Sequence, residues 1–132
     1  MRRGRQRGLA VAAAVVLTAA VAVGARATFG VLVVDGGSMR PALEPADLLV
    51  VQRHPGLVSP GDIVVVPHAG WPAGIAHRVT ALAGGGLLSL KGDANPVPDR
   101  DPVPVGDVLG RVIMQVPTGR LARAVAVRLG RW

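Results

Sequence analysis

The chain has 132 residues, half of them apolar, a formal net charge of +7 and no cysteine. Its length accommodates one domain with a modest core, and the missing thiols exclude disulfides and cysteine-held metal. The positive charge does not make a nucleic-acid binder. Arg2, Arg3, Arg5 and Arg7 gather at one end, Arg120, Arg123, Arg128 and Arg131 at the other, and all eight acidic residues lie between. Phe29, Trp71 and Trp132 are too few to form a stacking platform for bases, and two basic ends suit an anionic membrane surface better.

Residues 1–7 are the basic start, and GLAVAAAVVLTAAVAVGA, residues 8–25, follows without a charge. As a helix rising ~1.5 Å per residue it covers about 27 Å, close to the apolar thickness of a bilayer. The arginines ahead of it keep the N-terminus cytoplasmic by the positive-inside rule, which puts everything after Arg26 outside a plasma membrane crossed once. A competing reading is a leader cut at Ala25-Arg26-Ala27, but the apolar run exceeds the ~7–15 residues usual for such segments. The division expected is 1–7 cytoplasmic, 8–26 signal-anchor helix, 27–116 extracytoplasmic domain and 117–132 a C-terminal helix.

Strand signals then follow at short intervals. FGVLVV (29–34) stops at Asp35-Gly36-Gly37; LLVVQ (48–52) is the second strand; IVVV (63–66) is entered through Pro60-Gly61-Asp62. IAHRVTAL (75–82) turns at Gly84-Gly85-Gly86 into LLSLK (87–91), a hairpin. PVPDRDPVP (96–104) carries too many prolines for an interior strand and reads as an extended surface loop. VLGRVIMQV (108–116) is the last strand. Turns roughly every ten residues, with no alternation of strand and helix, indicate a mainly β domain.

TGRLARAVAVRLGRW changes period. The four arginines from Arg120 to Arg131 fall within about 140° of arc at 100° per residue, opposite Leu121, Val125 and Leu129. This is an amphipathic helix, lying with its basic face on the membrane or packed on the domain with its arginines solvated.

Three serines occur in the chain, and one stands in GGSMRP (36–41). A serine hydroxyl attacks only if a base takes its proton. His54 precedes a proline in a turn, and His68 follows IVVV near Gly70; both read as solvent-facing. His77 lies inside a strand and shares a face with Ile75 and Val79, so it is either a satisfied core residue or a functional one. KGDANPVPD (91–99) brings two carboxylates, Asp93 and Asp99, just after the strand that pairs with that of His77. Either could hold the imidazole, or Gly92-Asp93-Ala94-Asn95 could be turn chemistry alone.

In this order, GGSMRP, GDIVVV, AHRV and KGDANPVPD resemble type I signal peptidases, membrane-anchored serine proteases that remove leader peptides from exported proteins. The resemblance spans residues 31–116 and is to the histidine-containing branch of the endoplasmic reticulum, archaea and some Gram-positive bacteria. The lysine-using branch is not available, because the one lysine, Lys91, stands in the KGD motif. The resemblance implies a signal-peptidase- or LexA-like domain of coiled antiparallel sheets, with neither cofactor nor metal. It makes Ser38 the nucleophile and His77 the base, with Asp99 orienting His77 and Asp93 supporting the site. Gly37, Ser38 and Met39 would serve the oxyanion and substrate groove, and Pro41 would fix the turn. Its partners would be membrane lipid and precursors bearing signal peptides, with an accessory subunit left undecided.

One departure concerns the oxyanion. Members often carry a serine two positions before the nucleophile, where this chain has Gly36, which leaves the oxyanion to backbone N–H groups including that of Ser38. Other classes fit less well. A membrane-tethered, non-catalytic β module that binds an extracytoplasmic peptide is the alternative. A LexA-like self-cleaving regulator needs a lysine base, and a metal hydrolase needs closer histidine spacing.

Overall fold

A computed structural model of the protein describes residues 2–128. Helix α1 (Arg2–Thr28) runs directly into strand β1 (Phe29–Val33). Then come β2 (Leu48–Arg53), β3 (Ile63–His68), β4 (Trp71–Ala83), β5 (Leu87–Lys91) and the short β6 (Val103–Pro104). A single 3-10 turn, β7 (Gly110–Val116) and helix α2 (Thr118–Arg128) complete the chain. Leu129, Arg131 and Trp132, assigned from sequence to the last helix, lie outside the described residues.

Residues 8–28 of α1 form the one stretch, among those described, long and apolar enough to cross a membrane, and none of it is buried against the domain. Its apolar side chains have no protein to cover them, so lipid is the solvent that suits them.

The strands make one seven-stranded antiparallel sheet in the order β1-β2-β7-β3-β4-β5-β6. β3 lies at its middle, and its run of valines is buried on both sides. Val64 and Val66 join Val58, Val79, Leu88, Leu90 and Val108 in one core cluster, while Val65 joins Met39, Leu43, Leu49 and Val51 in another. An uninterrupted apolar strand is what burial on both faces demands. Two strand ends differ from the sequence reading. β3 and β4 extend toward each other to a tight turn at Ala69–Gly70, so His68 closes β3 instead of standing in a loop. In the proline-rich 96–104 stretch, Val103 and Pro104 pair with Leu88 and Leu87. Proline is tolerated there because β6 is an edge strand with no further neighbour.

In helix α2 two exposed arginines, and not the apolar side chains, reach the domain. Arg120 donates to the Pro41 carbonyl at 2.6 Å and Arg123 lies 3.6 Å from Glu44, so the basic side meets the domain while Leu121 and Val125 are exposed. The helix is fixed at its start by Asp47, a fully buried carboxylate that sequence reading passed over. Asp47 accepts from the Glu44 N–H at 3.0 Å, from Gln115 Nε2 at 2.6 Å and from the Gly119 N–H at 3.0 Å. Its own backbone carbonyl accepts from Val34. The carboxylate thus joins the last strand to the positive end of α2, while the backbone carbonyl of the same residue holds the end of the first strand.

Burial is the largest influence on the Asp47 carboxyl and pushes its pKa up; the hydrogen bonds from Glu44, Gln115 and Gly119, with Arg120 nearby, outweigh it and leave the group below the ordinary carboxylate range. A depressed folded-state pKa stabilises the fold above the unfolded value of ~3.9 and ceases to do so as pH falls through the folded value. Asp47→Asn turns an acceptor into a donor facing the Gln115 amide, and should destabilise the full chain in detergent by about 1–3 kcal/mol at neutral pH. Thermal melts followed by tryptophan fluorescence should show that gap closing as pH drops below ~4.

Candidate active site

Ser38 stands at the head of a turn that leaves the sheet after β1. Met39 and Leu43 carry the next residues of that turn into the core, both almost fully buried, and the Leu43 N–H donates to the Met39 carbonyl at 2.9 Å. Burying those two apolar side chains anchors the segment, so that Ser38 is presented at the edge of a cleft and not on a free loop.

His77 lies on β4 opposite Val64, with Val79 two residues on and pointing the same way. It is 6% exposed, and each ring nitrogen has a partner. Nδ1 lies 2.6 Å from Asp99 Oδ2, and Nε2 lies 3.2 Å from Ser38 Oγ. An ionised carboxylate can only accept, so in the neutral tautomer with the proton on Nδ1 the lone pair of Nε2 is left for the Ser38 hydroxyl. Three side chains far apart in sequence form one line: carboxylate, imidazole, hydroxyl.

The two carboxylates of the 91–99 motif part company. Asp99 goes to the imidazole, and its N–H donates to the Leu90 carbonyl beside β5 at 2.8 Å. Asp93 goes to Arg78, taking its Nε at 2.8 Å and its Nη2 at 2.6 Å in a fork-to-fork pair. The hydrogen bonds from Arg78 hold the Asp93 carboxyl below its usual range, and those to Asp93 push the Arg78 pKa up. Arg78 also donates to the Gly61 carbonyl at 2.8 Å. Sequence reading quoted AHRV for its histidine and missed the arginine. The available signal was a second carboxylate, for which a histidine already partnered by Asp99 had no nitrogen left.

The same loop holds the serine from behind. The Ala94 N–H donates to the Ser38 carbonyl at 2.8 Å. Gly92 makes that approach possible: a Cβ there would stand 2.7 Å from the Ser38 carbonyl oxygen and 2.7 Å from the Asn95 amide nitrogen.

Beside the line of three lies an open cleft of about 570 Å³. One wall runs from Leu32 to Met39, the other from Trp71 to His77, and Leu43, Leu49 and Val65 form its apolar floor. Met39 both packs in the core and lines this cleft. A Cβ at Gly36 would meet nothing within 4 Å, and one at Gly37 would make only ordinary contact with Arg40, so the chain's own packing does not require either glycine. The Ser38 N–H has no acceptor among the described residues. His54 and His68 are exposed and away from this line, although His68 borders the cleft. No group of three metal-ligating side chains occurs among the described residues.

A hydroxyl, an imidazole and a carboxylate hydrogen-bonded in series at the wall of a cleft can run acyl transfer, with the imidazole moving the proton. They stand on a β-rich domain that follows directly on an apolar helix. The chain matches the signal peptidase, peptidase S26 family over residues 7–87 and belongs to it. It is 34% identical over 99 residues to the signal peptidase complex catalytic subunit sec11 of Pyrenophora tritici-repentis (strain Pt-1C-BFP), the match covering 66% of this chain and 57% of the relative. The protein of the same name from Pyrenophora teres f. teres (strain 0-1) matches to the same extent. The chain therefore spans little more than half the length of these curated relatives.

Gly92→Ala should push the 92–99 loop away from Ser38 and carry Asp99 with it. Labelling of Ser38 by a serine-directed phosphonate should slow about 10²-fold, the penalty of a misplacement near 1 Å. Far-UV circular dichroism should be unchanged, and Arg78→Gln, which frees Asp93 at the same loop, should slow labelling in the same direction.

Proposed function

We propose that this protein is a membrane-anchored serine endopeptidase that removes signal peptides from exported precursors, with Ser38 as nucleophile, His77 as general base and Asp99 orienting His77. The observation that carries the reading is the imidazole of His77 standing between the Ser38 hydroxyl and the Asp99 carboxylate. Family membership supports leader-peptide cleavage as the reaction, and the name of the Pyrenophora relatives, a catalytic subunit of a signal peptidase complex, agrees with it.

In this reading α1 crosses the membrane with its N-terminal arginines in the cytoplasm, and the sheet domain stands on the outer side. Substrate and enzyme are confined to one bilayer, so a high effective concentration replaces much of the intrinsic affinity. The substrate lies extended between the 32–39 and 71–77 walls, adding as a strand, and the cleft selects small side chains ahead of the scissile bond. Ser38 Oγ bonds to the carbonyl carbon as His77 Nε2 takes its proton. The C–N bond breaks, His77 returns the proton to the departing amine, and a water activated by the same nitrogen releases the acyl group. The oxyanion forms beside the Ser38 N–H, and the bare Gly36 and Gly37 let the substrate backbone come close. Asp93, paired with Arg78, holds the loop that delivers Asp99.

The test is cleavage of a labelled secretory precursor by the full chain in membranes, which retains any partner subunit. Ser38→Ala and His77→Ala should each abolish product, and Asp99→Asn should lower kcat by about 10⁴-fold with KM nearly unchanged. Precursor bound but never cut by the wild-type chain would instead identify a non-catalytic binding module.

A further inference from the structure

Where α1 meets the sheet there is a second cleft, of about 420 Å³, lined by Ala25, Arg26, Phe29, Gly30, Val31, Val50 and Arg53. Two arginines line it, Arg26 and Arg53. Arg26 lies in the last turn of the candidate membrane span. Arg53 ends β2, where the pairing of Phe29 with Gln52 brings it level with the end of α1. Gly30 lets the Arg53 side chain lie against β1: a Cβ at that position would stand 3.3 Å from Nε, which donates to the Phe29 carbonyl at 3.4 Å. Neither arginine belongs to an ion pair among the described residues, while Arg40, Arg78, Arg111 and Arg123 each have a carboxylate.

Two cations sharing one cleft without a counter-charge repel, and an anion with several acceptor oxygens relieves that. The remaining walls are apolar. The outer sheet face continues them: Val31 pairs with Val50 and that with Met114, and Val31, Val33 and Met114 are exposed. A group that is anionic at one end and apolar beyond it, next to a helix suited to lipid, is a phospholipid headgroup. We propose that this cleft binds the phosphate of an anionic phospholipid, held by Arg26 and Arg53. The inference stands on α1 as a membrane span and not on the peptidase chemistry.

The experiment places the full chain in phosphatidylcholine vesicles with spin-labelled phosphatidylglycerol or spin-labelled phosphatidylcholine, and reads the motionally restricted fraction. It is run in an R2Q/R3Q/R5Q/R7Q background, so that the N-terminal cluster does not contribute. The background chain should prefer the anionic probe roughly tenfold. Adding R26Q and R53Q should bring the preference close to one, with either alone reducing it in part, whereas adding R123Q and R128Q, an equal change in charge, should leave it. Circular dichroism checks each fold; if the R26Q/R53Q chain does not fold, the R53Q chain alone decides. No preference in the background chain, or equal loss with R123Q/R128Q, overturns the site. Release of the spin-labelled lipid by 20 mM soluble glycerol phosphate would make it a site for free phosphate esters and overturn the lipid assignment.

Discussion

Adjacent residues on a β-strand point to opposite faces, and the candidate site is built on that single fact at His77 and Arg78. The imidazole hydrogen-bonds to Ser38 and Asp99, and the guanidinium to Asp93 and the Gly61 carbonyl. One loop supplies both with carboxylates, Asp99 to the first and Asp93 to the second. The loop is thereby held at both ends on a strand that is paired on both edges, by β3 and by β5. A hydrogen bond from an imidazole to a carboxylate persists only while the distance between them is held. A proline-rich segment could not do that by its own stiffness, and here it is tied down by the arginine next in sequence to the histidine it serves.

The serine side is held by different means. No strand carries Ser38. Its place is set by what lies just beyond it and behind it: Met39 and Leu43 buried in the core, and the Ala94 N–H on the Ser38 carbonyl. Farther along the same turn, Asp47 brings the end of β7 and the start of α2 to its carboxylate and the end of β1 to its backbone carbonyl. Gln115 adds to this by also donating to the Ala42 carbonyl. The polar cluster is closed, with every buried side-chain polar atom among the described residues partnered. A closed network of this kind rigidifies, whereas an open one would cost stability without fixing position.

The strands were legible because their apolar runs are short, β-branched and bounded by glycine, proline and aspartate, signals that act locally. The buried middle strand could be read from its valines, and the hairpin from its three glycines. The line of Ser38, His77 and Asp99 was not legible from spacing, since nothing local says that residues 38, 77 and 99 meet; the order of the motifs and their family resemblance suggested it. Arg78 and Asp47 escaped for a shared reason. Each matters through a partner distant in sequence, and a lone arginine in a strand or a lone aspartate in a turn has an ordinary local explanation. The direction of α2 escaped for another. A helical wheel places arginines and leucines on opposite sides but cannot say which side meets the domain, and Pro41 and Glu44 settled that.

The placement of the anchor ties these local devices to a membrane. α1 enters β1 without a linker, and β1 is an edge strand whose far end leads into the turn that carries Ser38. From the end of the helix to the serine there are only ten residues, five of them locked in register with β2. At ~3.3 Å per extended residue, the hydroxyl cannot lie more than about 35 Å from the end of the span. A flexible tether of the same length would let the domain rotate over all orientations. A paired strand removes most of that freedom, so the site is held at a restricted height and tilt above the bilayer. The edge strand that joins helix to serine is what sets that restriction, because its pairing with β2 fixes the direction in which the chain leaves the helix.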